Sequence, residues 1–268
     1  MSCKTIGIVS IKGGVGKTTT AVNLASSLSS DFGKKVLLVD GNFSAPNVGL
    51  HLGMVDTVHT INSVLNDKSQ AHEAVYEHNS GFHVLPASLK GEKTNPMKLK
   101  CKLQALRKYY DFIVIDSSPT LNEEMAATMA ASDELLVVTT PDLPTLSNTM
   151  RAVKMAKEKN TPIVGLVLNK VKGSKYELKV SEIEEAANVP VVASLPSSYK
   201  VLEALTHVSP VVQHAPLNGA SLEYKRLAAA VCGETFIEPS MVDKFKNSVK
   251  EDYESLKGHD FNHSLRYF

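Results

Sequence analysis

Lys4-Thr5-Ile6-Gly7-Ile8-Val9-Ser10-Ile11-Lys12-Gly13-Gly14-Val15-Gly16-Lys17-Thr18-Thr19 is the stretch whose reading decides the fold. Thr5–Ile11 is apolar and β-branched, as a strand covered on both faces would be. Three glycines follow within Lys12–Gly16, and then a helix-forming stretch, Thr18–Leu28. Strand, glycine loop and helix in that order suit a polyanion. Gly13, Gly14 and Gly16 let the backbone turn sharply and aim its N–H groups at phosphate oxygens. The helix starting near Lys17 adds the positive end of its dipole. Lys17 then reaches the β- and γ-phosphates of a nucleotide, and the Thr18 hydroxyl is placed to ligate Mg²⁺. A plain strand-to-helix turn has no need of Lys17-Thr18 at that point.

Outward from this loop, strand candidates recur at Lys35–Asp40, His83–Pro86, Phe112–Asp116, Leu135–Thr140, Ile163–Asn169 and Val191–Leu195. Helix candidates lie between them at Asn95–Lys108, Asn122–Ala131, Leu146–Glu158, Glu177–Ala187 and Ala220–Val231. The alternation predicts an α/β fold with a mostly parallel central sheet flanked by helices on both faces, and with the glycine loop and Lys17-Thr18 it reads as a Rossmann-like P-loop NTPase. Functional loops belong at the carboxyl ends of such strands. No linker or repeat interrupts residues 1–233, which read as one domain. Residues 234–268 turn polar and read as a C-terminal helical appendage.

Composition narrows the function. A formal net charge of +1 weighs against a globally basic nucleic-acid binder without removing a local patch. Cys3, Cys101 and Cys232 are scattered, with no C-x-x-C pair for zinc or an iron–sulfur cluster, and fit a reducing compartment. No apolar run is long enough to span a bilayer. The expectation is a cytoplasmic protein, with any membrane contact peripheral at the inner face of the cell membrane.

Lys12-Gly13-Gly14-Val15-Gly16-Lys17-Thr18-Thr19 resembles the deviant Walker A box of the MinD/ParA family of P-loop ATPases. The family's mark is a second lysine at the loop's start, here Lys12. The resemblance implies that it crosses an ATP-sandwich homodimer to touch the other subunit's nucleotide; otherwise Lys12 is a solvated surface charge. Val36-Leu37-Leu38-Val39-Asp40-Gly41-Asn42 resembles the family's second-strand motif, usually Asp-x-Asp. Tyr110-Asp111-Phe112-Ile113-Val114-Ile115-Asp116-Ser117-Ser118-Pro119 resembles its Walker B strand. Asp116 is thereby expected to hold a Mg²⁺-bound water and Asp40 to lie near the metal, the alternative for each being a strand-end cap.

Further along, Pro141-Asp142 stands where the family has Pro-Glu, an acid that meets the ribose across the dimer. Asn169-Lys170 matches an Asn that hydrogen-bonds adenine, or is a turn residue. Pro196 matches the Leu-Pro stretch near the base, followed by Val201, Ala204, Pro210 and Val211-Val212. In order, the resemblance spans Lys4 to Gly233, and Asn42–Leu50 fits the switch segment of the MinD-like branch. The expected catalytic set is Lys12, Lys17, Asp40 and Asn42. The expected nucleotide set is Lys12–Thr19 with Asp142, Asn169, Lys170 and Pro196, and the metal set is Thr18, Asp40 and Asp116. The cofactors implied are ATP or ADP and Mg²⁺.

Two departures stand out. The family's second acid is Asn42, an amide that can orient a water but cannot accept its proton, so turnover is expected to be slow. In the tail, Met241, Val242, Phe245, Val249, Tyr253 and Leu256 recur at helical spacing amid balanced charges, which favours docking on protein over an anionic membrane. Phe261, Leu265 and Phe268 repeat the pattern and leave peripheral membrane contact as a second use. The resemblance implies a MinD-like, ATP-dependent dimerising ATPase that acts as a nucleotide switch in division-site or surface-structure placement, with a further protein as partner or activator. The alternatives are a slow or inactive nucleotide-dependent scaffold and a ParA-type chromosome-partitioning ATPase that binds DNA.

Overall fold

The computed structural model describes residues 3–240. In chain order the elements are β1 (Lys4–Val9), α1 (Lys17–Ser30), β2 (Val36–Gly41), α2 (Val48–His51), α3 (Ile61–Leu65), β3 (Tyr76–Glu77), β4 (His83–Leu85) and α4 (Leu99–Gln104). There follow β5 (Phe112–Ser117), α5 (Glu123–Ala131), β6 (Glu134–Thr139), α6 (Leu143–Glu158), β7 (Ile163–Val171), α7 (Val180–Ala187), β8 (Val191–Pro196), α8 (Tyr199–Thr206), α9 (Val211–His214) and α10 (Gly219–Cys232). The sheet runs β3-β4-β2-β5-β1-β6-β7-β8. Every pairing is parallel except β3 with β4, a short antiparallel edge that the sequence pattern did not reveal. Residues 3–234 form one compact unit and a second begins at Thr235. The tail residues from Met241 onward, with their expected helical stripes, lie outside the described residues.

Alternation along the central strands sends side chains to two faces. Ile6, Ile8, Leu38, Val114 and Leu136 join Leu24 and Leu28 of α1 and Leu227 of α10 in one core. Leu37, Val39, Ile113 and Ile115 pack with Leu99 and Leu103 of α4 in another, and Leu135 and Val137 meet Met125, Met129, Ala152 and Val153 in a third. Such two-sided burial is why these strands read as continuous apolar runs.

Three helices differ from the sequence expectation. The Asn95–Lys108 stretch is broken: α4 spans only Leu99–Gln104, and Arg107–Tyr109 tightens into a single 3₁₀ turn. There Arg107 donates to Thr5 Oγ1 at 2.7 Å and pairs with Asp133 at 2.9 Å, tying that turn to the sheet's amino end. Helix α6 starts before Pro144 rather than at Leu146, because Asp142 caps it and a proline in the first turn forfeits no helical hydrogen bond. Helix α7 starts at Val180 rather than Glu177, since the Glu177 carboxylate accepts from the N–H groups of Lys172 (2.9 Å) and Ser174 (3.2 Å) and closes the preceding loop. Helices α2, α3, α8 and α9 are too short to show a period in the sequence.

Candidate functional site

The carboxyl ends of β1, β2, β5 and β7 converge on a cavity of about 640 Å³, within the range of small-molecule sites. Its floor is the loop after β1, which includes Gly13, Gly14 and Gly16. Gly16 sits at φ 98°, a left-handed conformation, and a Cβ there would lie 2.2 Å from Asn169 Nδ2. Only glycine fits this position. The loop is fastened through its carbonyls: Lys170 Nζ donates to Gly14 O and Asn169 Nδ2 to Val15 O, both at 2.7 Å. Among the described residues none accepts a hydrogen bond from the N–H groups of Gly13, Gly14, Val15 or Gly16. Those donors, with the start of α1, form an anion receptor.

Lys17 is 7% exposed, and its burial pushes the ammonium below lysine's usual range, while the charge of Asp116 pulls the other way. Thr18 Oγ1 donates to Asp116 Oδ2 at 2.6 Å. Asp116 is buried at the end of β5, where burial pushes its carboxyl up against the opposing hydrogen bond from Thr18 and the charge of Lys17. Its second oxygen, Oδ1, is buried without a hydrogen-bond partner. An orphaned acceptor beside a free hydroxyl oxygen suits a hydrated Mg²⁺, a hard cation that takes few protein oxygens and keeps its waters. Among the described residues there is no cluster of three or more acidic, His or Cys side chains that could hold a metal ion.

Asp40 pairs in register with Asp116 across β2 and β5, and the close approach is exacting: a Cβ on Gly41 would lie 2.8 Å from Asp116 O. Both Asp40 oxygens are occupied. Oδ1 accepts from Asn42 N, and Oδ2 from Asn47 N and Val48 N, each at 3.0 Å. Burial and the charge of Asp116 push the Asp40 carboxyl up, against the pull of those amides. Asp40 is therefore the clasp of the loop joining β2 to α2. Within that loop Asn42 Nδ2 donates to Ala45 O, which fixes the amide's orientation, while Asn42 Oδ1 is buried and unpartnered. Asn42 lines the cavity.

Lys12 does not line it. Its Nζ donates to Thr145 Oγ1 at 2.6 Å and pairs with Asp142 at 3.3 Å, with the lysine side chain 38% exposed. Asp142 caps α6, accepting from Thr145 N at 2.9 Å. Burial pushes its carboxyl up, but hydrogen bonds from Thr140, Thr145 and Lys12 outweigh that and hold it at about 2. Thr19, Asn169, Lys170 and Pro196 line the cavity, whereas Val15, Asp40, Asp116 and Asp142 stand behind or beside it. The sequence reading missed Asn47 and His51 on one wall and Leu202, Leu205 and Tyr224 on another. Helix α8 and the buried face of α10 bring in the last three, and no motif spacing marks them.

Fold and loop together define a P-loop nucleotide-binding protein. A family profile described as an AAA domain matches residues 3–164. An uncharacterised ATP-binding protein of Methanocaldococcus jannaschii is 34% identical over 253 residues, covering 90% of this chain and 96% of that protein. The cell division ATPase MinD of Pyrococcus furiosus superposes with a TM-score of 0.80 at 31% identity, over 86% of this chain and 98% of its own. The septum site-determining protein MinD of Pyrococcus horikoshii, solved with Mg-ADP, gives 0.79 at 30%, over 85% and 96%. The chain belongs to the MinD/ParA family of P-loop ATPases. It is an ATPase whose cofactors are ATP or ADP and Mg²⁺. No helix among the described residues is long and apolar enough to cross a membrane.

Proposed function

We propose that this chain is a slow, nucleotide-switched ATPase that pairs with a second copy around ATP and uses the paired state to recruit other proteins in spatial positioning. Lys12 carries the reading. Its ammonium is turned out of its own cavity, half-exposed, and held by only Asp142 and Thr145, so a second copy's phosphates can take it over. The MinD relatives support the cellular role.

Within one subunit, the free N–H groups of the loop and Lys17 bind the β- and γ-phosphates. Thr18 and Asp116 would hold Mg²⁺, which would neutralise phosphate charge when bound. Asn42, on the cavity wall, orients the attacking water through its side-chain amide. The water's oxygen bonds to the γ-phosphorus, the bridging bond to the β-phosphate breaks, and ADP keeps the electron pair. The water's proton ends on the released phosphate, because an amide cannot keep it. A loose transition state tolerates this, at reduced speed.

Lys12→Ala tests the pairing. Affinity of the monomer for an ATP analogue should stay within about threefold, while ATP-dependent dimerisation in sedimentation and turnover are both lost. A variant that still dimerises and turns over normally reduces Lys12 to a surface charge. A second reading, a nucleotide-dependent scaffold in which hydrolysis matters little, is favoured by Asn42 itself. Turnover of the wild-type dimer slower than its dissociation would select it.

A further inference from the structure

The loop after β2 has a second anchor, on another element. Glu124 is the second residue of α5, the helix that follows the Asp116 strand, and it is only 9% exposed. Its carboxylate accepts from Ser44 Oγ at 3.2 Å, and burial pushes the carboxyl up against that bond. Burying a carboxylate is costly unless such donors meet it. Phe43 adds a grip of its own, buried at 1% exposure in the core that includes Ala127 and Ala131 of α5. Asn42 thus lies between two clasps: Asp40 accepts from the N–H groups of Asn42, Asn47 and Val48, and Glu124 accepts from the Ser44 hydroxyl.

We infer that Glu124 is a positioning residue for hydrolysis: by holding Ser44, with α5 packed on Phe43, it fixes the loop that carries Asn42 on the wall of the nucleotide cavity. It links the helix behind Asp116, on the metal side of the site, to the group that orients the water. Glu124 itself does not line the cavity, and Ser44, its partner, is exposed at the rim of a second cavity of about 500 Å³. The contact can therefore open without unpacking the core. This inference rests on the proposed role of Asn42 in turnover.

A double-mutant cycle of Glu124→Ala and Asn42→Ala, read by single-turnover hydrolysis and by ATP-analogue affinity, tests it. Glu124→Ala should lower the hydrolysis rate about tenfold with analogue affinity within about twofold, and the isosteric Glu124→Gln should recover part of the loss. In the Asn42→Ala background, Glu124→Ala should change the rate by less than about twofold, because the group it positions is gone. Equal rate losses in both backgrounds overturn the inference, as does an unchanged rate for Glu124→Ala alone. Should Glu124→Ala fail to fold, Glu124→Gln in the two backgrounds decides by the same rule. If Asn42→Ala alone leaves the rate unchanged, the role of Asn42 fails first, and the inference falls with it for a separately visible reason.

Discussion

The loop after β1 and the loop after β2 both end buried parallel strands and both face the nucleotide cavity, yet they are held by opposite ends of the peptide group. The first is fastened through its carbonyls, by Asn169 and Lys170, and keeps the N–H groups of Gly13–Gly16 for a ligand. The second is fastened through its N–H groups by the carboxylate of Asp40, with Glu124 adding a bond from the Ser44 hydroxyl. A loop held by its carbonyls presents positive dipoles and receives phosphate without rearranging. A loop whose N–H groups are held by a carboxylate turns those donors away from phosphate, and here it places the Asn42 side chain on the cavity wall.

The largest effect should come from removing the charge that completes the first loop. Lys17→Ala should weaken binding of a fluorescent ATP analogue about 100-fold or more, since hydrogen bonds to charged groups contribute roughly 1.5–3 kcal/mol each. Unchanged affinity would break the assignment of the first loop as the phosphate receptor.

Asp40→Ala attacks the other loop and should read differently. It strands three N–H donors, each costing about 1–3 kcal/mol when left unpaired in the interior. Hydrolysis should stop and thermal unfolding should move down by about 6 °C or more, at roughly 2–4 °C per kcal/mol, with analogue affinity reduced far less than in Lys17→Ala. Equal losses of affinity in the two variants would dissolve the distinction between the loops.

Asn42→Asp sharpens the comparison by placing a proton acceptor where the amide now stands. The single-turnover rate should rise about fewfold, well short of the 10²–10⁴-fold of full general-base catalysis. The Ala45 carbonyl loses its donor and a third carboxylate joins Asp40 and Asp116, so unfolding should also come about 1–2 kcal/mol earlier. A rate equal to wild type would break the assignment of Asn42 as the group that limits the hydrolytic step.

The smallest effect concerns the outlying pair. Asp142 is held at about 2, below its ordinary 3.8, so its contribution is complete above pH 4 and lost as pH falls through 2. Asn also caps helices, so Asp142→Asn should cost less than about 1 kcal/mol above pH 4, given the exposure of the ion pair with Lys12. Denaturant midpoints of variant and wild type should converge below pH 2. A constant gap across that range would mean that the carboxylate's charge contributes nothing.

Much of the first loop was legible because its chemistry is local. Three glycines, a lysine and a threonine at fixed spacing carry the whole requirement, and the strand and helix around them follow from apolar patterning. The same locality exposed the acids ending β2 and β5. It did not reveal what Asp40 does there: an acid after an apolar run reads alike whether it faces a metal or its own backbone. Nor did it show that Asn169 grips Val15 O, 154 positions earlier in the chain.

By itself, then, the sequence determined the layered α/β architecture, the phosphate loop and the substitution of an amide at position 42, since periodicity and short motifs are properties of neighbouring residues. Tertiary structure alone decided which polar groups are already spent. Pairing β2 beside β5 set Asp40 against Asp116, closure of α6 over the first loop took up Lys12, and the packing of α5 brought Glu124 to Phe43 and Ser44, 80 positions away from Ser44 in the chain. The physical reason is that each carboxylate has few lone pairs to give, and which donors reach them depends on strand order and helix packing rather than on spacing along the chain.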